Sequence, residues 1–425
     1  MNPASVNTVI TITTYLFFQT MDWIRSIRER VDVPTIVGGV HLSIYPRETL
    51  GYDCIDYAVT GEAEYALPNM LAALVKGKDL SAVRGIAYRR NDGEIMVTPK
   101  APDCDVDEAP FPARQLIDNS LYYSFISKYK NFSCFITSRG CPYKCIFCEQ
   151  GSKPFRARSP KKGVDELELS LNEFGIREFD FFDSSFTIRK DRVIAICDEI
   201  KRRKLDIVWA ARTRVDCITD DVLKAMKSAG CSRIYYGIES GNREILATLK
   251  KSTSLEMYHD VIARTRANGI HTFGYFMVGN PYETEATIRQ TIRLALSLDL
   301  DYAQFSKVTP MPATEMYTLL LKEHGRDYWR EHIEQGTELG QQLAANDGLR
   351  SLHVVGTSAG SFISDATCSA YVAEAGDSRA CVRLSLTDPI TVRGGEELGD
   401  GWGLRNFGAD CDFAEHFLNT DDIVP

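Results

Sequence analysis

Eight residues carry the densest chemistry of this 425-residue chain: Cys141-Pro142-Tyr143-Lys144-Cys145-Ile146-Phe147-Cys148. Three thiols in so short a run form an odd, crowded set. That is a poor disulfide framework and a natural site for a metal or a cluster. Three thiolates from one loop fill three corners of a 4Fe–4S cubane and leave the fourth iron open to a substrate or cofactor. A structural zinc loop is the alternative for the same residues. The other nine cysteines, Cys54, Cys104, Cys134, Cys197, Cys217, Cys231, Cys368, Cys381 and Cys411, stand singly and read as small, partly buried side chains.

Alternating elements must position that loop. From Phe132 onward, β-branched and aromatic runs at Cys134–Ser138, Glu178–Phe182, Ile207–Ala211, Arg233–Ile238, His271–Val278 and Tyr302–Thr309 read as strands. Helical spacing falls between them, at Asp165–Phe174, Asp191–Lys201, Asp220–Ala229 and Ser254–Asn268. Six βα units predict a parallel sheet that curls as a partial (β/α)6 barrel, whose chemistry sits at the carboxyl ends of the strands. Before it, Val9–Thr13, Met21–Val31, Thr35–Val37, Ile55–Val59 and Tyr65–Val75 read as half of a doubly wound, Rossmann-like α/β domain. A connector rich in proline and acid follows, from Pro99 to Pro112.

The cysteine spacing, with the aromatic Phe147 just before Cys148, resembles the signature of the radical S-adenosylmethionine (SAM) superfamily. The likeness extends over roughly residues 132–325. It implies that SAM chelates the open iron. Electron transfer then splits the sulfonium into methionine and a 5′-deoxyadenosyl radical. It further implies that Asp183, at the end of the Glu178–Phe182 strand, serves the methionine end of SAM; a helix cap or loop acid is the alternative reading. Glu239 of Tyr236-Gly237-Ile238-Glu239-Ser240-Gly241 would accept from ribose hydroxyls. The backbone at Gly279 and Pro281 would approach adenine. Arg212 or Arg214 would neutralise the SAM carboxylate, and Gly140 would let the chain turn into the cluster loop.

Gly38-Gly39-Val40-His41 and Gly61-Glu62-Ala63-Glu64 resemble the later part of the cobalamin-binding domain that precedes many such cores. The family's D-x-H-x-x-G segment would lie before Met1. Cobalamin is therefore an expectation for the lineage and stays open for this chain, with His41 read equally as a polar loop-end residue. Members of this subgroup often transfer methyl groups to carbon and draw electrons from an external donor such as flavodoxin or ferredoxin.

Charge marks a further boundary. The formal net charge is −9, and residues 346–425 hold −8 of it, from five arginines, no lysine and thirteen carboxylates. That balance argues against a nucleic-acid protein driven by bulk basicity. No apolar run reaches the roughly 18 residues of a membrane span, and the start lacks a signal-peptide pattern. Unpaired thiols and oxygen-sensitive chemistry point to the cytoplasm. Gly356-Thr357-Ser358-Ala359-Gly360 resembles the nucleophile elbow of an α/β hydrolase. No histidine follows Asp422 to complete the triad order. The expected organisation is thus α/β: residues 1–118 a partial cobalamin-type domain and linker, 119–330 the radical SAM core, 331–425 a truncated hydrolase-like tail. The rival functions are a serine hydrolase with a non-catalytic cluster domain and a non-catalytic cluster or cobalamin carrier.

Overall fold

The computed structural model describes residues 8–124 and 126–335 together with one strand, Ser369–Ala373. The hydrolase-like motif around Ser358, and the strands expected at 381–386 and 413–418, lie outside the described residues. The chain divides into two compact units.

The first unit is built on a five-stranded sheet in sequential order: β1 (Thr8–Thr11), β2 (Thr35–Gly38), β3 (Tyr57–Val59), β4 (Ile86–Arg89) and β5 (Ile95–Val97). The first three strands pair in parallel and the last two antiparallel. The helices between them are α1 (Phe17–Arg28), α2 (Pro46–Leu50) and α3 (Ala63–Val75). Apolar β2 residues Ile36 and Val37 are fully buried, as a central parallel strand requires. The turn after β2 demands glycine: Gly39 has φ +105°, and a Cβ there would stand 2.5 Å from the Ile12 carbonyl oxygen. The antiparallel pair β4–β5 is an addition that alternation of apolar residues did not reveal. These strands are only four and three residues long.

The second unit is an open half-barrel of six parallel strands. They are β6 (Phe132–Phe135), β9 (Glu178–Phe181), β10 (Val208–Thr213), β11 (Cys231–Glu239), β12 (His271–Val278) and β13 (Tyr302–Lys307), neighbours in that order. The strand Ser369–Ala373 pairs antiparallel with β13. Between β6 and β9 the chain makes a separate hairpin of β7 (Ser138–Cys141) and β8 (Lys153–Ala157). The sequence reads Cys134–Ser138 as one strand; in the structure it breaks before Thr137.

The outer helices are α4 (Pro160–Phe174), α5 (Lys190–Arg202), α6 (Asp220–Ser228), α7 (Arg243–Thr248), α8 (Leu255–Ala267) and α9 (Glu285–Ser297). Helix α4 shows why they start and stop where they do. The Ser159 hydroxyl accepts from Lys162 N at 3.3 Å, Pro160 opens the first turn, and Gly175 closes it at φ +64°. Alternate strand residues Phe179, Phe181, Trp209, Ile234, Tyr236 and Phe276 face these helices and form one core. The intervening residues Ala210, Tyr235 and Phe273, with Tyr275 and Tyr302, cluster on the opposite face.

Two last helices, α10 (Glu315–His324) and α11 (Tyr328–Gln335), return to the first unit. The sequence placed residues 312–330 with the barrel. In the structure Asp327 accepts from the Tyr45 hydroxyl at 2.9 Å, and the Ile333 carbonyl accepts from the Tyr52 hydroxyl at 2.5 Å. Trp329 packs edge-on against Tyr15 at 5.6 Å. Nothing in the helical period of 315–335 states which sheet its apolar side will meet.

Candidate functional site

The cysteine loop lies between β7 and β8, where Cys141 pairs with Lys153 across the hairpin. Gly140 makes the turn possible. Its φ is +77°, and a Cβ would sit 2.1 Å from the Pro154 carbonyl oxygen. The loop then folds on itself: Cys148 N donates to Cys145 O at 3.2 Å, Gly151 N to Cys148 O at 3.1 Å, and Ser152 N to Tyr143 O at 2.8 Å. Ile146 N reaches Leu249 O at 3.2 Å, tying the loop to the end of α7.

Cys141 is buried and Cys145 and Cys148 are half-buried. Burial pushes the Cys141 thiol up, and the nearby Cys148 and Cys145 add to that. Burial also raises the Cys145 thiol, against the opposing pull of Lys251 and Arg214. Among the described residues no three His, Cys, Asp or Glu side chains are gathered as ligands of a single ion. In a cluster each cysteine binds a different iron. The donor set of three thiols on one loop, with two cations acting on one of them, fits a 4Fe–4S group.

Asp183, Arg212, Glu239, Gly279 and Pro281 lie toward the carboxyl ends of the parallel strands, as a barrel site requires. The structure changes the part that several of them play. Asp183, just past β9, is fully buried and its oxygens are taken by the chain itself. Oδ1 accepts from Thr137 N at 2.6 Å and Ser138 N at 3.0 Å, and Oδ2 from the Thr137 hydroxyl at 2.7 Å. Arg192 stands 3.8 Å away and also grips the Thr137 carbonyl and hydroxyl. Asp183 therefore fixes the break between β6 and β7 that launches the cysteine loop.

Arg212 ends in an ion pair with Asp180 and is sandwiched over the rings of Phe182 at 3.4 Å and Tyr235 at 4.6 Å. Glu239 closes β11 at a bulge with φ +69°, a costly conformation for a non-glycine residue. Its Oε1 takes Lys251 Nζ at 2.7 Å, both side chains being nine-tenths buried or more. Gly237 leaves space for this pair, since a Cβ there would meet Glu239 Oε1 at 2.5 Å. Gly279 has φ +86° and an exposed backbone, and its N–H and that of Asn280 donate to Glu283 at 2.6 and 3.0 Å. Pro281 and Phe147 are half-buried. Sequence reasoning missed Lys251, Asp180, Asp216 and Glu283. Each is a charged residue with no motif of its own, recognisable only by its partner.

A family profile described as the radical SAM superfamily matches residues 135–295. An uncharacterized methyltransferase of Pyrococcus horikoshii is 36% identical over 319 residues, which cover 72% of this chain and 67% of that protein. The chain belongs to the radical SAM superfamily. Members of this superfamily use a 4Fe–4S cluster and SAM. The anaerobic magnesium-protoporphyrin IX monomethyl ester cyclase of Rubrivivax gelatinosus is 31% identical over 67% of this chain. The chain spans 53% of that relative's length. In fold, this radical SAM chain is similar to the methyltransferase TsrM from Kitasatospora setae. The TM-score is 0.62 at 22% identity, over 75% of this chain and 66% of that one. It is also similar to the cobalamin-dependent SAM radical enzyme OxsB, at a TM-score of 0.57 over 78% of this chain and 49% of that one.

The residues expected at cobalamin, Gly38, Gly39 and His41, belong to the first unit. His41 is fully buried, with Nδ1 3.1 Å from the Thr14 hydroxyl and its ring 4.9 Å from Phe17. Burial pulls its pKa down to about 4. Its Nε2 is buried and has no hydrogen-bond partner among the described residues, yet a side chain without exposed surface offers no face to a corrin. His41 does not fit a cobalt ligand, and Gly39 is explained by the turn over Ile12. No helix among the described residues is long and apolar enough to cross a membrane.

Proposed function

We propose that this chain is a SAM-dependent radical enzyme whose cluster is held by Cys141, Cys145 and Cys148, and whose overall reaction transfers a methyl group to an unactivated carbon. The observation that carries it is the three-thiol loop, launched by Asp183 and Gly140 at the carboxyl edge of the half-barrel, with Arg214 and Lys251 at Cys145. When bound, the cluster supplies the electron that splits the sulfonium of SAM. The chain's own residues bind and orient. Arg212, Glu239 and Phe147 contact the cofactor, and the backbone at the exposed Gly279 and half-buried Pro281 receives its adenine. Lys251 holds the Glu239 carboxylate in one orientation.

The relatives named as methyltransferases support methyl transfer. Cobalamin as methyl carrier is supported by the fold shared with TsrM and OxsB, each of which has been seen with cobalamin bound. Those likenesses cover 75% and 78% of this chain, so they extend beyond residues 135–295. Any cobalamin here is held without His41 as ligand. The expected organisation is a cobalamin-type unit followed by the radical core, supplied with electrons by a separate donor protein.

The test is anaerobic reconstitution with iron and sulfide, then an assay for 5′-deoxyadenosine under dithionite, with and without cobalamin. Cys145→Ala is expected to lose iron–sulfur absorbance and SAM cleavage together. Retention of both would overturn the proposal. Unchanged methyl transfer in the absence of cobalamin would remove the carrier but leave the radical reading intact.

A further inference from the structure

Arg214 follows β10 and is almost fully buried, its side chain 6% exposed. Its guanidinium is gripped on three sides. Nε donates to Asp216 Oδ1 at 2.9 Å, and Nη2 donates to Asp216 Oδ2 at 2.8 Å and to the Lys251 carbonyl at 2.7 Å. Its Cζ lies 3.9 Å from the centroid of the Tyr143 ring, inside the cysteine loop. Tyr143 is itself fixed by its hydroxyl, 2.9 Å from Cys217 Sγ. These contacts leave Nη1 pointing one way, to Cys145 Sγ at 3.6 Å. That sulfur, a thiol in this structure, stands for the thiolate that binds iron.

A fork held by two oxygens of one carboxylate cannot turn without breaking both bonds. The exposed Arg202 pairs with Glu199 on its own helix. Arg214 instead joins three separate segments: the end of β10, the cysteine loop and the chain after α7. Such rigidity is more than an ion pair needs. It is what a donor aimed at one sulfur needs.

We propose that Arg214 is a positioning residue that sets the reduction potential of the cluster through Cys145, with Asp216, Tyr143 and the Lys251 carbonyl holding its guanidinium on that sulfur. The proposal rests on the cluster reading above. Reduction adds one electron, supplied by the external reductant, and the cluster becomes one charge more negative. Part of that charge resides on sulfur. An N–H donor and a buried cation at Cys145 stabilise the reduced state more than the oxidised one, which raises the potential. The Asp216 carboxylate also offsets part of the arginine charge; Asp216→Asn removes that charge while its amide oxygen, the Tyr143 ring and the Lys251 carbonyl still hold the guanidinium in place. The two residues therefore have opposite signs, whereas general damage to the loop has one.

The experiment is a redox titration of the reconstituted full chain, followed by the electron paramagnetic resonance signal of the reduced cluster, with iron and sulfide content measured in parallel. Arg214→Met is expected to shift the midpoint to lower potential at full iron content, and Asp216→Asn to shift it higher. If Arg214→Met does not accumulate, Arg214→Lys replaces it; the lysine keeps a cation without the fork and lowers the midpoint by less. Unchanged midpoints, or shifts of both variants in the same direction, overturn the proposal. If the wild-type chain assembles no cluster, the reading of the three cysteines falls first. If the wild type titrates and Arg214→Met titrates with it, only the role of Arg214 falls.

Discussion

Replacing Asp183 separates two readings of the same carboxylate. In the structure it accepts three hydrogen bonds from Thr137 and Ser138 and faces Arg192, with no exposed surface. Asp183→Ala leaves two backbone N–H groups buried without acceptors, at ~1–3 kcal/mol each, and Arg192 without its countercharge. The expected loss is about 3–6 kcal/mol, a large share of the ~5–15 kcal/mol that holds a domain folded. Asp183→Asn is different, because the amide oxygen can replace Oδ1, which receives both backbone donors. Its NH2 then meets the Thr137 hydroxyl and the charge facing Arg192 is lost, so the loss is about 2–4 kcal/mol, still smaller than for alanine. Urea unfolding followed by circular dichroism measures both, and equilibrium dialysis measures SAM binding. The order wild type, Asn, Ala in stability, with iron binding lost in parallel, is expected. An alanine variant within about 1 kcal/mol of wild type that has lost only SAM would refute the reasoning and return Asp183 to the cofactor.

Lys251→Met leaves Glu239 buried and unpaired, which costs ~3–5 kcal/mol. Adding Glu239→Gln should recover part of that loss, and equal unfolding midpoints for the single and double variants would contradict it. Gly140→Ala combines a left-handed φ, at ~1–3 kcal/mol, with a Cβ 2.1 Å from the Pro154 oxygen. The β7–β8 hairpin should open and reconstituted iron content should fall, so full iron retention would speak against that geometry. Burial holds His41 near pKa 4 against 6.5 when unfolded, so the unfolded state takes up the proton first. Stability of the first unit is complete above pH 6.5 and declines as pH falls toward 4, by about 3 kcal/mol for this residue. His41→Phe should flatten that decline in acid-unfolding curves, and an unchanged slope would show that His41 is not its source.

The half-barrel was legible because each strand carries its own signal. His271–Val278 is read with both boundaries intact, and Glu178–Phe182 and Arg233–Ile238 miss by one or two residues. Short strands were not legible: β5 has three residues, too few for a period to register. The sequence grouped residues up to 330 with the barrel, whereas 312–335 cluster with the first unit; an amphipathic stripe announces that it will be buried without naming the surface that buries it.

For the site, sequence alone determined what depends on covalent spacing. Cys141, Cys145 and Cys148 are near one another in any fold, and Gly140 precedes them in any fold. Tertiary structure decided everything that depends on which strand ends meet. It made Asp183 the acceptor that anchors the loop through Thr137 and Ser138. It gave Glu239 a partner twelve positions away in Lys251, and brought Arg214 to a sulfur sixty-nine residues earlier. A thiol triplet can be read from a chain because its geometry is local. A buried charge cannot, because its meaning is set by the group that neutralises it, and folding chooses that group.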